Sequence, residues 1–226
     1  MNYKIIQDEE ALKHFIKWLP ELKKGEVFYF SLFSRKKYAP NSNLKSDKSC
    51  LKRFCATKKE YIIGKIRQLE CAEGSFTTDT GEPVPIESLA LYVMPNPRSL
   101  EKATKNALIK FAHLITEPYN GYNPSSEILS IIQTSCGEKH FYDFDFDNVE
   151  IDTVMTQLEG KINLNCLTLI QTRGGFHLLV KLANIESQHK KSWYNAISSI
   201  SGADCRGDQL LPCVGAAQGN FMPIFV

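Results

Sequence analysis

The alternating segment from Phe141 to Asp147, Phe-Tyr-Asp-Phe-Asp-Phe-Asp, constrains this chain more than any other part of its sequence. Successive side chains of an extended strand point to opposite faces, so its three aspartates share one face, and Phe144 and Phe146 lie on the other. Aspartate is a poor strand former, and carboxylates this close repel one another. We therefore predict a strand that offers Asp143 and Asp145 to a divalent cation. Oxygen-only ligands favour Mg²⁺ or Mn²⁺ over zinc.

A second interpretation of the same segment is an exposed strand edge whose acidic residues only keep the protein soluble. The choice between these two interpretations depends on the rest of the chain. Its 226 residues suffice for one large domain or two small ones, and 43% of them are hydrophobic, which predicts a sizeable core. The net charge of +2 neither demands nor excludes a nucleic-acid partner.

The start of the chain has no apolar region typical of a signal peptide, and no apolar run is long enough to span a bilayer. We therefore expect a cytoplasmic protein with no membrane partner. The seven cysteines lack a CxxC pair, which favours free thiols over structural zinc.

Hydrophobic periodicity predicts an α/β (α+β) fold in a single domain, with a mixed or antiparallel sheet and flanking helices. Turn-forming residues at Asp79-Thr80-Gly81 predict a hairpin or loop. Helices are predicted over residues 8–24, 57–69, 99–116, 125–132, 151–160 and 187–200. Pro20 is expected to kink or end the first of them. The second is expected to open with a capping box at Thr57-Lys58-Lys59-Glu60. The third is expected to bury an apolar stripe that includes Ala103, Leu108 and Ile115. Strands are predicted over residues 27–33, 88–94, 141–147, 167–170, 178–180 and 221–226.

Two basic positions are candidates for phosphate or nucleic-acid contacts. A strand leads into Ser34-Arg35-Lys36-Lys37-Tyr38, where cations stand beside an aromatic ring. A solvated turn explains that cluster about equally well. Farther along, two prolines make a rigid loop that presents Arg98, although this segment also suits the lead-in to a helix capped by Ser99.

A glycine pair, Gly174-Gly175, separates two apolar runs and predicts a β-hairpin. The hairpin carries Arg173 and His177. Glycine lets a backbone come close to a ligand, and a histidine near an arginine and a glycine turn suits an anion. A histidine with only a structural role is the alternative.

Three blocks now stand in one order along the chain: Asp143-Phe144-Asp145, Gly175-Phe176-His177, and Asp208 before a Leu-Leu-Pro segment. This ordered set resembles the archaeo-eukaryotic primase superfamily, the primase-polymerases. That family has a DhD strand, in which h is hydrophobic, then a small-x-His motif and a later carboxylate. The resemblance covers residue 123 to the end, and residues 1–122 are compatible with the family's additional α/β layer.

The resemblance implies a template-directed nucleotidyltransferase, a DNA primase or primase-polymerase, that joins nucleoside triphosphates with two Mg²⁺ or Mn²⁺ ions. The metal ligands and catalytic residues would be Asp143, Asp145 and Asp208. The nucleotide-binding residues would be His177, Arg173 and Gly175. Contacts to the triphosphate or the nucleic-acid backbone would come from Arg35, Lys36 and Arg98.

Two positions depart from the family pattern. Gly175 stands where many members have serine, and Asp204 competes with Asp208 as the third carboxylate. The expected partners are nucleoside triphosphates, a single-stranded or primed DNA template and a separate helicase or replication protein, in a setting that suits a phage or mobile element. A metal-dependent nuclease and a non-catalytic nucleic-acid-binding module on a primase-like fold are the alternatives.

Overall fold

Ten strands and six α-helices build the part of the chain that this computed structural model describes, residues 1–78 and 80–226. The helices are α1 (Glu9–Trp18), α2 (Glu60–Arg67), α3 (Leu100–Leu114), α4 (Pro124–Thr134), α5 (Ile151–Leu158) and α6 (Trp193–Ser198). The strands are β1 (Glu26–Arg35), β2 (Lys48–Ala56), β3 (Leu89–Val93), β4 (Arg98–Ser99), β5 (Phe141–Asp147), β6 (Leu167–Gln171), β7 (Gly175–Lys181), β8 (Ala203–Gly207), β9 (Leu211–Pro212) and β10 (Ile224–Phe225).

The first sheet has the order β2-β1-β3-β9, and the short β4 pairs with the start of β1. Strand β1 is buried at every position except its two ends, as expected for a central strand rich in aromatic residues. Helix α1 is capped by Asp8, whose carboxylate accepts hydrogen bonds from two backbone amides, and it ends before Pro20. It buries Leu12, Phe15 and Ile16 in the core beneath this sheet.

The second sheet has the order β10-β6-β7-β5-β8, and all neighbouring strands are antiparallel. The segments β5-α5-β6-β7-α6-β8 follow the β-α-β-β-α-β order of a ferredoxin-like unit, which places β5 between β7 and β8. Phe144 and Phe146 point to the helices and pack in one core with Val154 of α5 and Ile197 of α6. The predicted alternation of β5 is therefore confirmed.

The opposite face of the second sheet packs against the first sheet. Phe141, Ile170 and Leu179 from this face belong to the same core as the residues under β1. The chain then returns to the first sheet, because β9 pairs with β3 and the amide of Ala217 donates to the carbonyl of Ile5. The two sheets thus do not divide at residue 122, the boundary that we predict between the layers.

The predicted α+β class is confirmed, and both sheets are antiparallel. Strands β2 and β8 are missing from the prediction, because their polar residues leave one face toward solvent or a cleft. Predicted turn residue Asp79 lies outside the described residues. Within those residues, no helix combines the length and the apolar character that a membrane crossing requires.

Three helix predictions are wrong in detail. The apolar stripe of α3 is not a core stripe: Ala103 is buried, but Leu108 is 69% and Ile115 77% exposed. Helix α2 begins after Lys59 with no side-chain cap, so the capping box at Thr57 does not form. The helix predicted over residues 187–200 is shorter, Trp193–Ser198, after a series of turns.

The hairpin between β6 and β7 turns through Thr172-Arg173-Gly174, and Gly175 is the first residue of β7. Gly175 lies opposite Asp147 on β5. A Cβ atom on Gly175 would lie 1.9 Å from the carbonyl oxygen of Phe146, whereas one on Gly174 would lie 3.1 Å from an Asp147 side-chain oxygen. The close approach of two backbones therefore requires glycine at position 175.

We predict that Gly175→Ala lowers the free energy of unfolding by about 3 kcal/mol, because the new methyl group forces β5 and β7 apart. Gly174→Ala is the matched control and should change it by about 0.5 kcal/mol, since only a flexible side chain has to move. Urea unfolding followed by tryptophan fluorescence measures both. Equal stabilities of the two variants would contradict the steric role of Gly175.

Candidate functional site

A cleft opens between the two sheets at the end of β5 and the start of β7, with a cavity volume of about 220 Å³. One wall is acidic and comes from β5, and the facing wall is basic and comes from β1, β2 and the segment after β1. The lining includes Asp145, Asp147, His177, Arg206, Arg35, Lys37, Lys48, Tyr38, Tyr92, Thr172, Gly174 and Gln209. This pairing of opposite charges suits a ligand that carries both a metal ion and phosphate groups.

The acidic wall is organised by the pairing of β5 with β7, which places Asp145 directly opposite His177. His177 contacts both neighbouring carboxylates on its face of the sheet. Its Nδ1 lies 3.0 Å from each side-chain oxygen of Asp143, and its Nε2 lies 3.7 Å from Oδ1 of Asp145. Asp143 is 1% exposed, so His177 supplies the hydrogen-bonding partner that a buried carboxylate needs.

Burial alone would lower the pKa of His177, but the charge and hydrogen bond of Asp143, together with Asp145, outweigh it and leave the pKa raised. The imidazolium form then has Nδ1 bound to Asp143 and Nε2 on the side of Asp145. The pKa of Asp145 is also raised, chiefly by burial, with the nearby charges of Asp147 and Asp143 adding to the effect. These are groups whose protonation a bound cation or anion would change.

Arg206 adds a cation to the acidic wall. The pairing of β5 with β8 has a bulge between Asp143 and Phe144, and Arg206 is the extra residue on β8. The bulge aims the guanidinium at two carboxylates: Nη2 lies 3.2 Å from Asp145 and 2.9 Å from Asp204. Arg206 is not among the predicted site residues, because no residue pattern indicates the bulge and strand β8 itself is not predicted.

The basic wall is built on aromatic rings. Nη1 of Arg35 lies 2.9 Å from the hydroxyl of Tyr92, and the Arg35 side chain is 14% exposed. Arg173 places its guanidinium 4.8 Å from the ring centre of Tyr38. Lys48 lies 4.4 Å from the ring centre of Phe33; burial, then the nearby charge of Arg35, lowers the Lys48 pKa. The structure thus places Arg35 and Lys48 in the lining of the cleft, and Arg173 against Tyr38, which also lines it.

Arg98 does not face the cleft, so its prediction as a phosphate or nucleic-acid contact is wrong. It is 0% exposed, and its two terminal nitrogens lie 2.8 Å from the two carboxylate oxygens of Asp208. It also donates to the backbone carbonyls of Asn96 and Gln133. A guanidinium that is fully occupied by protein groups is not available to a ligand.

Asp208 is correspondingly not in the acidic wall, and the structure does not bring the predicted third carboxylate to Asp143 and Asp145. Its Oδ1 accepts a further hydrogen bond, 2.9 Å long, from the Asn96 amide. Burial alone would raise the pKa of Asp208, but Arg98 and Asn96 outweigh it and hold the pKa below its usual range. Asp204, the alternative, is nearer to the site, since it lies directly opposite Asp145.

Two further predicted residues are displaced from the cleft. Lys36 is exposed on the segment after β1, but its neighbour Lys37 lines the cleft instead. Gly175 lies behind the cleft, where backbone packing explains it, and Gly174 lines the cleft. Successive residues of an extended or turning chain face opposite sides. Residue type alone does not show which of two neighbours faces the cleft, so both predictions are displaced by one residue.

The acidic wall fits a hard divalent cation by its chemistry, because its donors are carboxylate oxygens. Residues 1–78 and 80–226 contain no group of three or more His, Cys, Asp or Glu side chains placed to hold a metal ion. Mg²⁺ is commonly bound by one or two carboxylates, with water and substrate phosphates as the other ligands. Of the two carboxylates predicted as metal ligands, Asp145 lines the cleft, and Asp143 is 1% exposed beside it.

A scan against protein-family models, a search of curated proteins and a search of solved structures found no match to this chain. The function is therefore argued from the residues and the geometry of the cleft.

We predict that Asp208→Ala lowers the free energy of unfolding by about 3 kcal/mol, because it leaves the buried Arg98 without its counter-charge. The control Asp204→Ala removes an aspartate whose side chain is 57% exposed and should cost less than about 1 kcal/mol. Urea unfolding measures both. A larger loss from the Asp204 variant than from the Asp208 variant would contradict the structural role of Asp208.

The raised pKa of His177 predicts a pH-dependent contribution to stability. The histidine pKa is about 6.5 in the unfolded chain, so the contribution is full below that pH and is lost as pH rises through the higher folded value. The stability difference between wild type and His177→Gln should therefore shrink from about pH 6 to about pH 9. In an Asp143→Asn background the trend should weaken. A difference that grows with pH would contradict the pairing.

Proposed function

We propose that this chain is a metal-dependent nucleotidyltransferase of the primase-polymerase type, which joins nucleoside triphosphates on a DNA template. The observation that carries the proposal is the convergence of Asp143, Asp145 and His177 on one face of the second sheet. Asp145 and His177 line a cleft whose opposite wall carries Arg35 and Lys48, and Asp143 contacts His177. A nucleotide bound with its metal ion needs both walls.

Asp143 and Asp145 would hold Mg²⁺ or Mn²⁺, the cations that suit a carboxylate-only donor set. When bound, the metal supplies charge stabilisation for the attacking and leaving oxygens of phosphoryl transfer. The protein itself contributes the placement of these carboxylates. The β5–β7 pairing fixes their face, and the contact with His177 orients Asp143.

His177 would donate a hydrogen bond to a phosphate of the nucleotide from Nε2. Its Nδ1 contact with Asp143 favours the charged imidazolium, and charged donors make the shorter and stronger bonds to phosphate. Arg35, Lys48 and Arg173 would carry the remaining phosphate charge from the basic wall. This distribution of roles needs no separate general base, since phosphoryl transfer depends mainly on positioning and electrostatics.

The expected result of an incorporation assay is labelled product on a single-stranded DNA template with Mn²⁺ or Mg²⁺, tested with and without a primer. Asp145→Asn should reduce incorporation by about a hundredfold or more, because metal-borne stabilisation is worth several kcal/mol. Asp152→Asn, an exposed aspartate at the start of α5 and outside the cleft, is the matched control and should retain activity.

Other outcomes of the assay discriminate between the functions. Product without a primer identifies a primase, and product only with a primer identifies a polymerase that extends. Shortening of the template without added nucleotide would replace the proposal with a nuclease. Template binding with neither reaction would replace it with a non-catalytic binding module.

A further inference from the structure

We propose that Arg206 is an exchangeable counter-ion of the acidic wall: it neutralises Asp145 when no metal is bound and moves to a phosphate group when metal and nucleotide bind together. This inference rests on the proposed function, since it concerns the same site. Its consequence is an order of binding, in which the metal alone binds weakly and the metal with a triphosphate binds tightly.

The position of Arg206 between two aspartates motivates this role. Asp145 and Asp204 lie directly opposite each other on adjacent strands, an arrangement in which like charges repel. Nη2 of Arg206 contacts both of them and relieves the repulsion. The positive charge of Arg206 therefore offsets the repulsion between the two carboxylates, as a divalent cation would.

Arg98 and Arg206 both pair with aspartates, but they differ in how freely their side chains can move. Arg98 is fully buried and binds Asp208 through both terminal nitrogens, a geometry that fixes it. Arg206 has a side chain that is 37% exposed and contacts its two carboxylates through one nitrogen. It also lines the cleft, so its guanidinium can turn from the carboxylates to a ligand without leaving the site.

Electrostatic interactions oppose the binding of metal alone and favour the binding of metal together with a triphosphate. A divalent cation at Asp145 would stand within a few ångströms of the guanidinium and be repelled by it. A triphosphate offers Arg206 new acceptors, and arginine binds phosphate oxygens in a planar, bidentate manner. The triphosphate therefore removes the obstacle to the metal, and the metal in turn offsets the loss of Arg206 from Asp145.

The test compares Arg206→Gln with wild type in two binding measurements. Binding of Mn²⁺ alone is followed by the electron paramagnetic resonance signal of the free ion, and binding of inorganic tripolyphosphate in the presence of Mn²⁺ by calorimetry. We expect Arg206→Gln to tighten Mn²⁺ binding about tenfold, because a repelling charge is gone. We expect the same change to weaken tripolyphosphate binding about tenfold, because a charged donor is gone.

Three further variants make the result interpretable. Arg67→Gln, which removes an exposed arginine paired with Glu9 on the surface, is the matched control and should change neither affinity. Arg206→Lys keeps the charge and should leave Mn²⁺ binding near the wild-type value, even if Arg206→Gln folds poorly. Asp145→Asn should weaken Mn²⁺ binding and so locate the ion.

Opposite changes in the two affinities support the exchange. Unchanged Mn²⁺ affinity in Arg206→Gln, with Asp145→Asn still weakening it, would overturn the role of Arg206 and leave the proposed metal site intact. Mn²⁺ binding that is insensitive to Asp145→Asn, or absent in the wild type with tripolyphosphate, would overturn the proposed metal site and this inference together.

Discussion

The buried ion pair of Arg98 and Asp208 is the interaction on which the rest of the cleft depends. A buried guanidinium costs several kcal/mol unless it is paired and hydrogen-bonded, and Arg98 is both. Asn96 extends the network: its amide donates to Asp208 and to the carbonyl of Phe141, and its oxygen accepts from the backbone amide of Phe141. The network therefore joins the loop before β4, the start of β5 and the segment after β8. It holds the acidic strand at a fixed position relative to the first sheet.

This anchoring explains why Asp208 has a structural role while Asp145, a similar carboxylate, faces the cleft. Asp208 has a buried arginine to neutralise, and withdrawing it for a ligand would leave that charge unpaired. Asp145 has a partly exposed arginine instead, and such a pair is cheap to exchange. Burial of the partner, more than the type of residue, separates the two aspartates.

The sequence predicted the parts of the fold that strict periodicity encodes, and it failed where burial depends on distant segments. The alternation in Phe141–Asp147 placed Asp143 and Asp145 on one face, as the structure has them. The apolar stripe of α3 predicts a buried face that α3 does not have. Burial of such a stripe depends on neighbouring segments, which the stripe itself does not reveal. The sequence predicts Arg98 and Asp208 as ligand-binding residues, since a buried ion pair between residues 110 positions apart leaves no local pattern. The bulge that aims Arg206 is likewise a property of strand register, which single residues do not reveal.

The return of the chain to the first sheet also bears on how the protein is made. Helix α1 and β1 are translated early, but Ala217 bonds to Ile5, and Gly215 accepts from the amides of Gln7 and Asp8. The first core therefore stays open at the ribosome until these late residues emerge. Contacts this distant in sequence slow folding and leave apolar surface uncovered during synthesis. The half of the protein that is translated first thus depends on residues that are translated last, and we expect the two halves to unfold together.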